Sequence, residues 1–192
     1  MKGTPAARPD RLPPVDRSQL PVRAIFLVGF MGAGKTTVGR ALSESMGWRF
    51  EDLDDRIRAR EGRSIPEIFA QSGEAAFRRS ERAALEDLLQ EVRFGPPTVA
   101  ALGGGAFAQP EVVHLLEESG NVTIFLDAPI DELWQRCSSE GVDRPLLRQR
   151  SEFEQLYQKR RPYYLRARVR VETGSRAIQN IVEEITGALP GT

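Results

Sequence analysis

The chain has 192 residues, with 27 Lys and Arg side chains against 27 Asp and Glu. This length suits one α/β domain and is short for two, and the balanced charge excludes bulk electrostatic attraction to nucleic acid or anionic lipid. The single cysteine, Cys137, excludes an intrachain disulfide and suits a reducing cytoplasm, while no apolar run reaches the roughly 20 residues of a membrane span.

The composition of residues 1–22 predicts a poorly ordered, nonessential tail. They contain five prolines, mixed charges and few apolar side chains, a composition that cannot bury enough apolar surface to fold. The segment lacks the apolar stretch of a secretory signal, and Asp10 and Asp16 argue against a transit peptide. We therefore expect a single domain over residues 23–192.

From residue 24 onward, short apolar runs alternate with helical patterns. Such alternation predicts a parallel sheet covered by helices on both faces, which is a three-layer α/β fold. The five predicted strands are 24–28, 49–52, 98–102, 122–127 and 168–172. The predicted helices are 35–46, 64–70, 74–92, 110–119, 130–138, 152–166 and 176–189. The only histidine, His114, falls on one of these helices.

A phosphate-binding loop follows the first predicted strand. Residues 29–36 read Gly-Phe-Met-Gly-Ala-Gly-Lys-Thr and open a helix, which is the strand, glycine turn and helix N-terminus that a P-loop requires. Lys35 is suited to bind the β- and γ-phosphates, and the Thr36 hydroxyl is suited to bind Mg²⁺. The sequence therefore predicts a nucleoside triphosphate bound through Gly32, Ala33, Gly34, Lys35, Thr36 and Thr37.

Polar and glycine residues follow the other predicted strands. Because open α/β sheets bind ligands beyond the carboxyl ends of their strands, these residues are expected to share one site. Two carboxylates, Asp52 and Asp54, follow the second strand, and a triple glycine, 103–105, follows the third. Arginines come later in the chain, at positions 136, 144 and 160. Together these groups would suit phosphoryl transfer to a small anionic acceptor.

In this order, the motifs resemble those of the shikimate kinase family, which belongs to aromatic amino-acid biosynthesis. The resemblance covers about residues 24–188. It rests on the P-loop, on Asp52-Leu53-Asp54, and on residues 62–69, 73–78, 102–106, 144–147 and 160–164. It implies a nucleoside-monophosphate-kinase-like fold with strand order 2-3-1-4-5 and a mobile lid at about 138–150. It also implies a monomer that uses MgATP to phosphorylate the shikimate 3-hydroxyl.

The resemblance implies a role for each site residue. Lys35, Asp54 and Arg144 are the implied catalytic residues, with Asp54 accepting the hydroxyl proton and Arg144 bringing a cation on the lid. Thr36 and Asp52 are implied to hold Mg²⁺, and Arg136 and Arg144 to bind ATP. The implied shikimate-binding residues are Asp54, Arg78, Gly103, Gly104, Gly105 and Arg160. An apolar wall around the ring is implied for Ile65, Phe69, Phe77, Pro145 and Leu146.

Other interpretations of these residues and of the whole chain stay open from sequence alone. Asp54 would also suit a helix N-cap, Arg78 and Arg136 an exposed helix face, and Arg144 an ordinary surface position. Glu81, one turn after Arg78, is expected to hold an arginine in place. Alternative functions are another small-molecule kinase, such as a gluconate or nucleotide kinase, or a non-catalytic nucleotide-binding regulator.

Overall fold

Five parallel strands form one sheet in the order β2-β3-β1-β4-β5 in a computed structural model that describes residues 22–139 and 149–189. The strands are β1 (Ala24–Val28), β2 (Arg49–Asp52), β3 (Thr98–Ala101), β4 (Val122–Asp127) and β5 (Val169–Glu172). Both the fold class and the strand order predicted from the sequence are confirmed. Residues 1–21 of the predicted tail and 140–148 of the predicted lid lie outside the described residues.

The central position of β1 follows from its composition. All five of its residues are apolar and buried, as expected for a parallel strand covered on both faces. It pairs with β3 on one side and β4 on the other, so that Phe26 lies opposite both Ala100 and Thr123. At the sheet edge, β5 buries Val171 but exposes its neighbours Arg170 and Glu172.

Seven α-helices cover the sheet in the described part of the chain. They are α1 (Lys35–Met46), α2 (Leu53–Glu61), α3 (Ile65–Phe94), α4 (Pro110–Ser119), α5 (Ile130–Ser139), α6 (Arg150–Tyr164) and α7 (Ile178–Ala188). None of these helices is both long enough and apolar enough to cross a membrane. His114 lies exposed on α4, where it faces Glu118.

Two details of the helices differ from the sequence prediction. Helix α2 was not among the predicted helices, because only Leu53 and Ile57 of its nine residues are buried and its apolar pattern is weak. The helices predicted at 64–70 and 74–92 lie within α3, which is interrupted at Gly73 by a non-helical conformation (φ 77°, ψ 171°). A positive φ is accessible to glycine at little cost, so the helix direction changes there.

Aromatic packing joins the P-loop to α6. Phe30, the second residue of the loop motif, is 1% exposed. Its ring meets the rings of Phe153 and Tyr157 edge-on, with centroids 4.9 and 5.4 Å apart. Such pairs contribute about 0.5–1.5 kcal/mol each beyond their buried area. The packing therefore fixes the position of α6 relative to the phosphate-binding loop.

Candidate functional site

One cavity of about 1130 Å³ lies at the carboxyl edge of the sheet. Its walls include the P-loop, the carboxylates Asp52 and Asp54, the glycine turn 103–105 and both Arg78 and Arg160. Small-molecule pockets usually measure about 300–1,000 Å³. The cavity exceeds this usual range, and it is lined by both the P-loop and the glycine turn.

The P-loop has the geometry of an anion site. Gly34 caps α1 in the left-handed region (φ 86°), and its carbonyl accepts the Val38 N–H at 2.8 Å. A side chain at Gly32 (φ 78°) would place a Cβ 2.9 Å from the Cys137 sulfur. The Lys35 ammonium donates to the carbonyls of Gly29 and Phe30, both at 2.9 Å. Lys35 therefore curls back over the loop that would cradle the phosphates.

Asp52 links the P-loop to the second strand. The Thr36 hydroxyl donates to Asp52 Oδ2 at 2.9 Å, while Asp52 Oδ1 accepts the Asp54 N–H at 3.0 Å and caps α2. The alternative interpretation of Asp54 as the N-cap is therefore wrong. The structural reason is that β2 runs directly into α2, so the cap falls on the last strand residue and Asp54 lies in the first helical turn.

Thr36 and Asp52 have the chemistry that a Mg²⁺ site needs. Both supply hard oxygen donors next to the loop for the phosphates, and Mg²⁺ usually takes one or two protein ligands with phosphate oxygens and waters. Within residues 22–139 and 149–189, no group of three or more His, Cys, Asp or Glu side chains could form a metal cage. The donor set thus fits a metal that arrives with the nucleotide.

Asp54 lies between the two ends of the cavity. A Cβ added to Gly103 would lie 2.8 Å from Asp54 Oδ1, so the carboxylate packs directly against the glycine turn. Burial raises the pKa of Asp54, the charge of Asp52 raises it further, and the charges of Lys35 and Arg58 oppose the rise. A raised pKa makes a carboxylate a better proton acceptor.

Two arginines converge on the glycine turn. A Cβ added to Gly105 would lie 2.9 Å from both terminal nitrogens of Arg78 and 3.2 Å from Arg160 Nη2. The backbone of Gly105 has a φ of −103°, so glycine leaves space there for the two arginines and is not needed for the backbone conformation. Arg160 also donates to the Gly104 carbonyl at 3.3 Å. The arrangement places two guanidinium groups where a carboxylate could be bound bidentately.

Glu81 holds Arg78 in place, as the sequence predicted. The Glu81 side chain is 1% exposed and accepts from Arg78 Nη1 at 2.7 Å. Burial raises the pKa of Glu81, and the charge of Arg78 opposes this rise. Gln109 also donates to the Glu81 carboxylate at 2.7 Å. Sequence reasoning missed Gln109, because no spacing pattern connects residues that lie 28 positions apart in different elements.

The opposite end of the cavity contains Arg136. Its guanidinium donates to the Gly32 carbonyl at 3.3 Å, to Glu132 at 2.9 Å and to the Thr173 carbonyl at 3.4 Å. Ile178 also lines the cavity. Arg136 thus bridges the P-loop and the segment after β5, and its stacking on a nucleotide base stays a prediction.

The remaining predicted site residues divide into two groups. Ile65, Phe69 and Phe77 line the cavity, and the rings of Phe69 and Phe77 lie 4.6 Å apart. These residues therefore form an apolar wall beside the arginines. Arg144, Pro145 and Leu146 lie outside the described residues.

Comparison with known proteins identifies a family. The shikimate kinase family model matches residues 31–190. The chain is 39% identical to the shikimate kinase of Persephonella marina, covering 88% of this chain and 99% of that protein. It is 42% identical to that of Chlorobium chlorochromatii, with coverages of 84% and 88%. A solved shikimate kinase from Acinetobacter baumannii in complex with shikimate superimposes with a TM-score of 0.77 at 34% identity, covering 86% of this chain and 91% of that one.

Proposed function

The chain belongs to the shikimate kinase family and catalyses ATP-dependent phosphorylation of shikimate, and from this premise we propose how its residues divide the reaction. The γ-phosphoryl group of MgATP passes to the shikimate 3-hydroxyl, giving shikimate 3-phosphate and ADP. One observation carries the proposal. Asp54 lines the same cavity as Lys35 of the P-loop and as Arg78 and Arg160, and its carboxylate packs against the glycine turn and interacts with the Lys35 charge.

The nucleotide occupies the P-loop half of the cavity in this proposal. Backbone N–H groups of residues 32–37 and the Lys35 ammonium hold the phosphates and offset their charge as it shifts during transfer. Bound Mg²⁺, held by Thr36 and Asp52, would supply further neutralisation of the phosphate charge. Arg136 faces the base, and Arg144 is proposed to bring a cation to the transferred group.

The acceptor occupies the other half. Arg78 and Arg160 bind its carboxylate above the triple glycine, where the absence of side chains leaves room for the ligand. This anchoring directs a ring hydroxyl toward Asp54, which orients the hydroxyl and accepts its proton. The hydroxyl oxygen bonds to the γ-phosphorus, while the bond from that phosphorus to the β,γ-bridging oxygen breaks and ADP leaves.

A coupled ADP-release assay tests the acceptor. Shikimate, gluconate and nucleoside monophosphates are offered in turn to the full chain, with and without Mg²⁺. Of these acceptors, we expect only shikimate to support turnover with ATP, and only when Mg²⁺ is present. Turnover on gluconate or on a nucleotide at a comparable kcat/KM would contradict the acceptor assignment. ATP binding without turnover on any acceptor would instead favour a non-catalytic nucleotide-binding regulator.

A matched pair of variants tests the proton acceptor. Asp54→Asn removes the carboxylate that the mechanism uses, and we expect kcat to fall about 10²–10⁴-fold. Asp55→Asn makes the same chemical change at an exposed residue of the same helical turn, and it should retain wild-type kcat within about twofold. Equal kcat values in the two variants would remove Asp54 from the mechanism.

We also propose that the protein works as a cytoplasmic monomer without a nucleic-acid partner. The balance of 27 Lys and Arg against 27 Asp and Glu side chains supports the absence of a nucleic-acid partner. Light scattering on the purified protein tests the oligomeric state. A stable dimer would contradict this part of the proposal and leave the reaction untouched.

A further inference from the structure

A buried tyrosine on α6 supports the glycine turn, residues 103–105. Tyr164, near the end of α6, is fully buried, and its ring packs against Phe125 with centroids 5.3 Å apart. Its hydroxyl donates to the carbonyl of Gly104. Burial raises the pKa of Tyr164, so the hydroxyl keeps its proton at neutral pH and remains a donor. Tyr164 does not itself line the cavity.

The same carbonyl accepts a second bond from α6. Arg160 lies one helical turn before Tyr164, so both side chains leave the same face of the helix, and Arg160 Nη1 reaches the Gly104 oxygen at 3.3 Å. Arg160 therefore has two tasks, since it must also bind the acceptor. A group that faces the acceptor is a poor sole support for the turn. Tyr164 contacts Arg160 but does not line the cavity, so it can hold the turn without binding the acceptor.

The hydrogen bond from Tyr164 to the Gly104 carbonyl oxygen fixes the orientation of a whole peptide group. Because the peptide group is planar and trans, holding the Gly104 carbonyl toward α6 points the Gly105 N–H away from α6. The turn has no side chains of its own to hold it, and consecutive glycines are costly to order. Within the turn, Ala106 N–H bonds to the Gly103 carbonyl at 3.0 Å. This internal bond does not involve the peptide group between Gly104 and Gly105. The Tyr164 hydroxyl holds that group instead.

We propose that Tyr164 is a positioning residue for the acceptor's carboxylate, acting through the peptide plane between Gly104 and Gly105. The proposal rests on the proposed function, because it assumes a carboxylate seated between Arg78 and Arg160. Loss of the hydroxyl would let the turn rotate beneath the carboxylate. The turn also borders the P-loop, since a Cβ added to Gly104 would lie 3.4 Å from Met31 N. We expect the nucleotide half of the cavity to change less than the acceptor half, because the Tyr164 hydroxyl bonds to the glycine turn.

The chain offers a matched control on the same helix. Tyr157 is also buried, and its hydroxyl bonds to Asp127 at 3.3 Å and accepts from Arg161 at 3.1 Å. Tyr157→Phe therefore removes one buried hydroxyl from α6 without touching the glycine turn. Both Phe variants keep their rings, so both are expected to fold, which thermal melting checks.

Steady-state kinetics with shikimate and with its methyl ester test the proposal. The ester lacks the negative charge that the arginines bind, so wild-type enzyme should use it with a far higher KM. For Tyr164→Phe we expect the KM for shikimate to rise about three- to tenfold, the range set by one net hydrogen bond. The KM for ATP, the KM for the ester and kcat should stay within about twofold. Tyr157→Phe should leave the shikimate KM unchanged.

The possible failures are distinguishable. If wild-type enzyme uses acid and ester equally well, the carboxylate site itself is absent, and the proposed anchoring by Arg78 and Arg160 fails with the inference while the reaction stands. If wild type prefers the acid but the two Phe variants have the same shikimate KM, the inference alone is overturned. An equal rise in the KM values for ATP and shikimate in Tyr164→Phe would also overturn it, because that pattern reports general loosening of the fold.

Discussion

The Arg78 guanidinium and the buried Glu81 carboxylate form an ion pair one helical turn apart, with Nη1 and Oε2 separated by 2.7 Å. Glu81 is 1% exposed, whereas the Arg78 side chain is 22% exposed and faces the cavity. A buried carboxylate cannot exchange this partner for water. The pair therefore determines where the arginine presents its remaining donors.

Replacing Glu81 with Gln should weaken acceptor binding. The amide keeps the size of the side chain but removes the charge that holds Arg78. We expect the shikimate KM to rise roughly tenfold or more, since hydrogen bonds to charged groups contribute about 1.5–3 kcal/mol, with the ATP KM unchanged. Glu74→Gln is the control, because Glu74 also contacts Arg78 at 3.1 Å but is 69% exposed. Similar KM values in both variants would contradict a special role for Glu81.

The parts of the site that the sequence predicted depend on local chemistry. The P-loop is a continuous motif whose glycines, Lys35 and Thr36 act together in one turn, and its flanking strand and helix are visible in the apolar pattern. Arg78 and Glu81 are three residues apart on one helix, so their contact follows from helical geometry. Such relationships are encoded within a few residues of each other.

The parts that sequence reasoning missed depend on tertiary contacts. Tyr164 meets Gly104 across 60 positions of the chain, and neither residue's neighbours indicate the contact. The capping of α2 by Asp52 was missed for a different reason. Asp52 and Asp54 are both good N-cap residues, and only the point at which β2 ends decides between them.

The stability of the protein should depend on pH through Asp54. The pKa of Asp54 is raised above its ordinary value of 3.8, first by burial and then by the charge of Asp52. A carboxyl that binds its proton more tightly when folded stabilises the fold below its unfolded pKa, and this stability is lost as pH rises through the folded pKa. Asp54→Asn cannot ionise, so it escapes that loss.

We therefore expect the unfolding free energy of Asp54→Asn, relative to wild type, to increase as pH rises from about 4 to 8. Urea unfolding at several pH values measures this difference, and titrating groups that do not interact with Asp54 cancel because both proteins contain them. Asp55→Asn is the control, since Asp55 is exposed. A difference that stays constant with pH would mean that Asp54 has the same pKa in the folded and unfolded states.

Adding a methyl group at Gly105 should harm binding more than folding. Alanine accepts the local backbone (φ −103°), but its Cβ would lie 2.9 Å from the ends of Arg78 and 3.2 Å from Arg160. Flexible side-chain ends move more readily than backbone, so the arginines should shift and the shikimate KM should rise roughly tenfold. The ATP KM should not change.

Gly187→Ala provides the contrast for that experiment. A Cβ at Gly187, in the last turn of α7, meets no atom within 4 Å, and replacing glycine with alanine stabilises a helix by up to about 0.5–1 kcal/mol, the value for a helix interior. This variant should therefore melt at a higher temperature with unchanged kinetics. An increase in the shikimate KM for Gly187→Ala, or none for Gly105→Ala, would contradict the steric explanation.

Two substitutions at Asp52 should separate its structural role from its role toward Mg²⁺. Asp52 caps α2 through the Asp54 N–H at 3.0 Å and accepts from Thr36 at 2.9 Å. Asparagine caps helices about as well as aspartate but carries no charge, whereas alanine neither caps a helix well nor carries a charge. Asp52→Asn should therefore raise the Mg²⁺ concentration needed for half-maximal rate at fixed ATP while leaving the melting temperature nearly unchanged. Asp52→Ala should also raise the Mg²⁺ concentration needed for half-maximal rate, and it should in addition destabilise the protein by about 0.5–2 kcal/mol. If Asp52→Asn keeps the wild-type dependence on Mg²⁺, the carboxylate acts only as a helix cap.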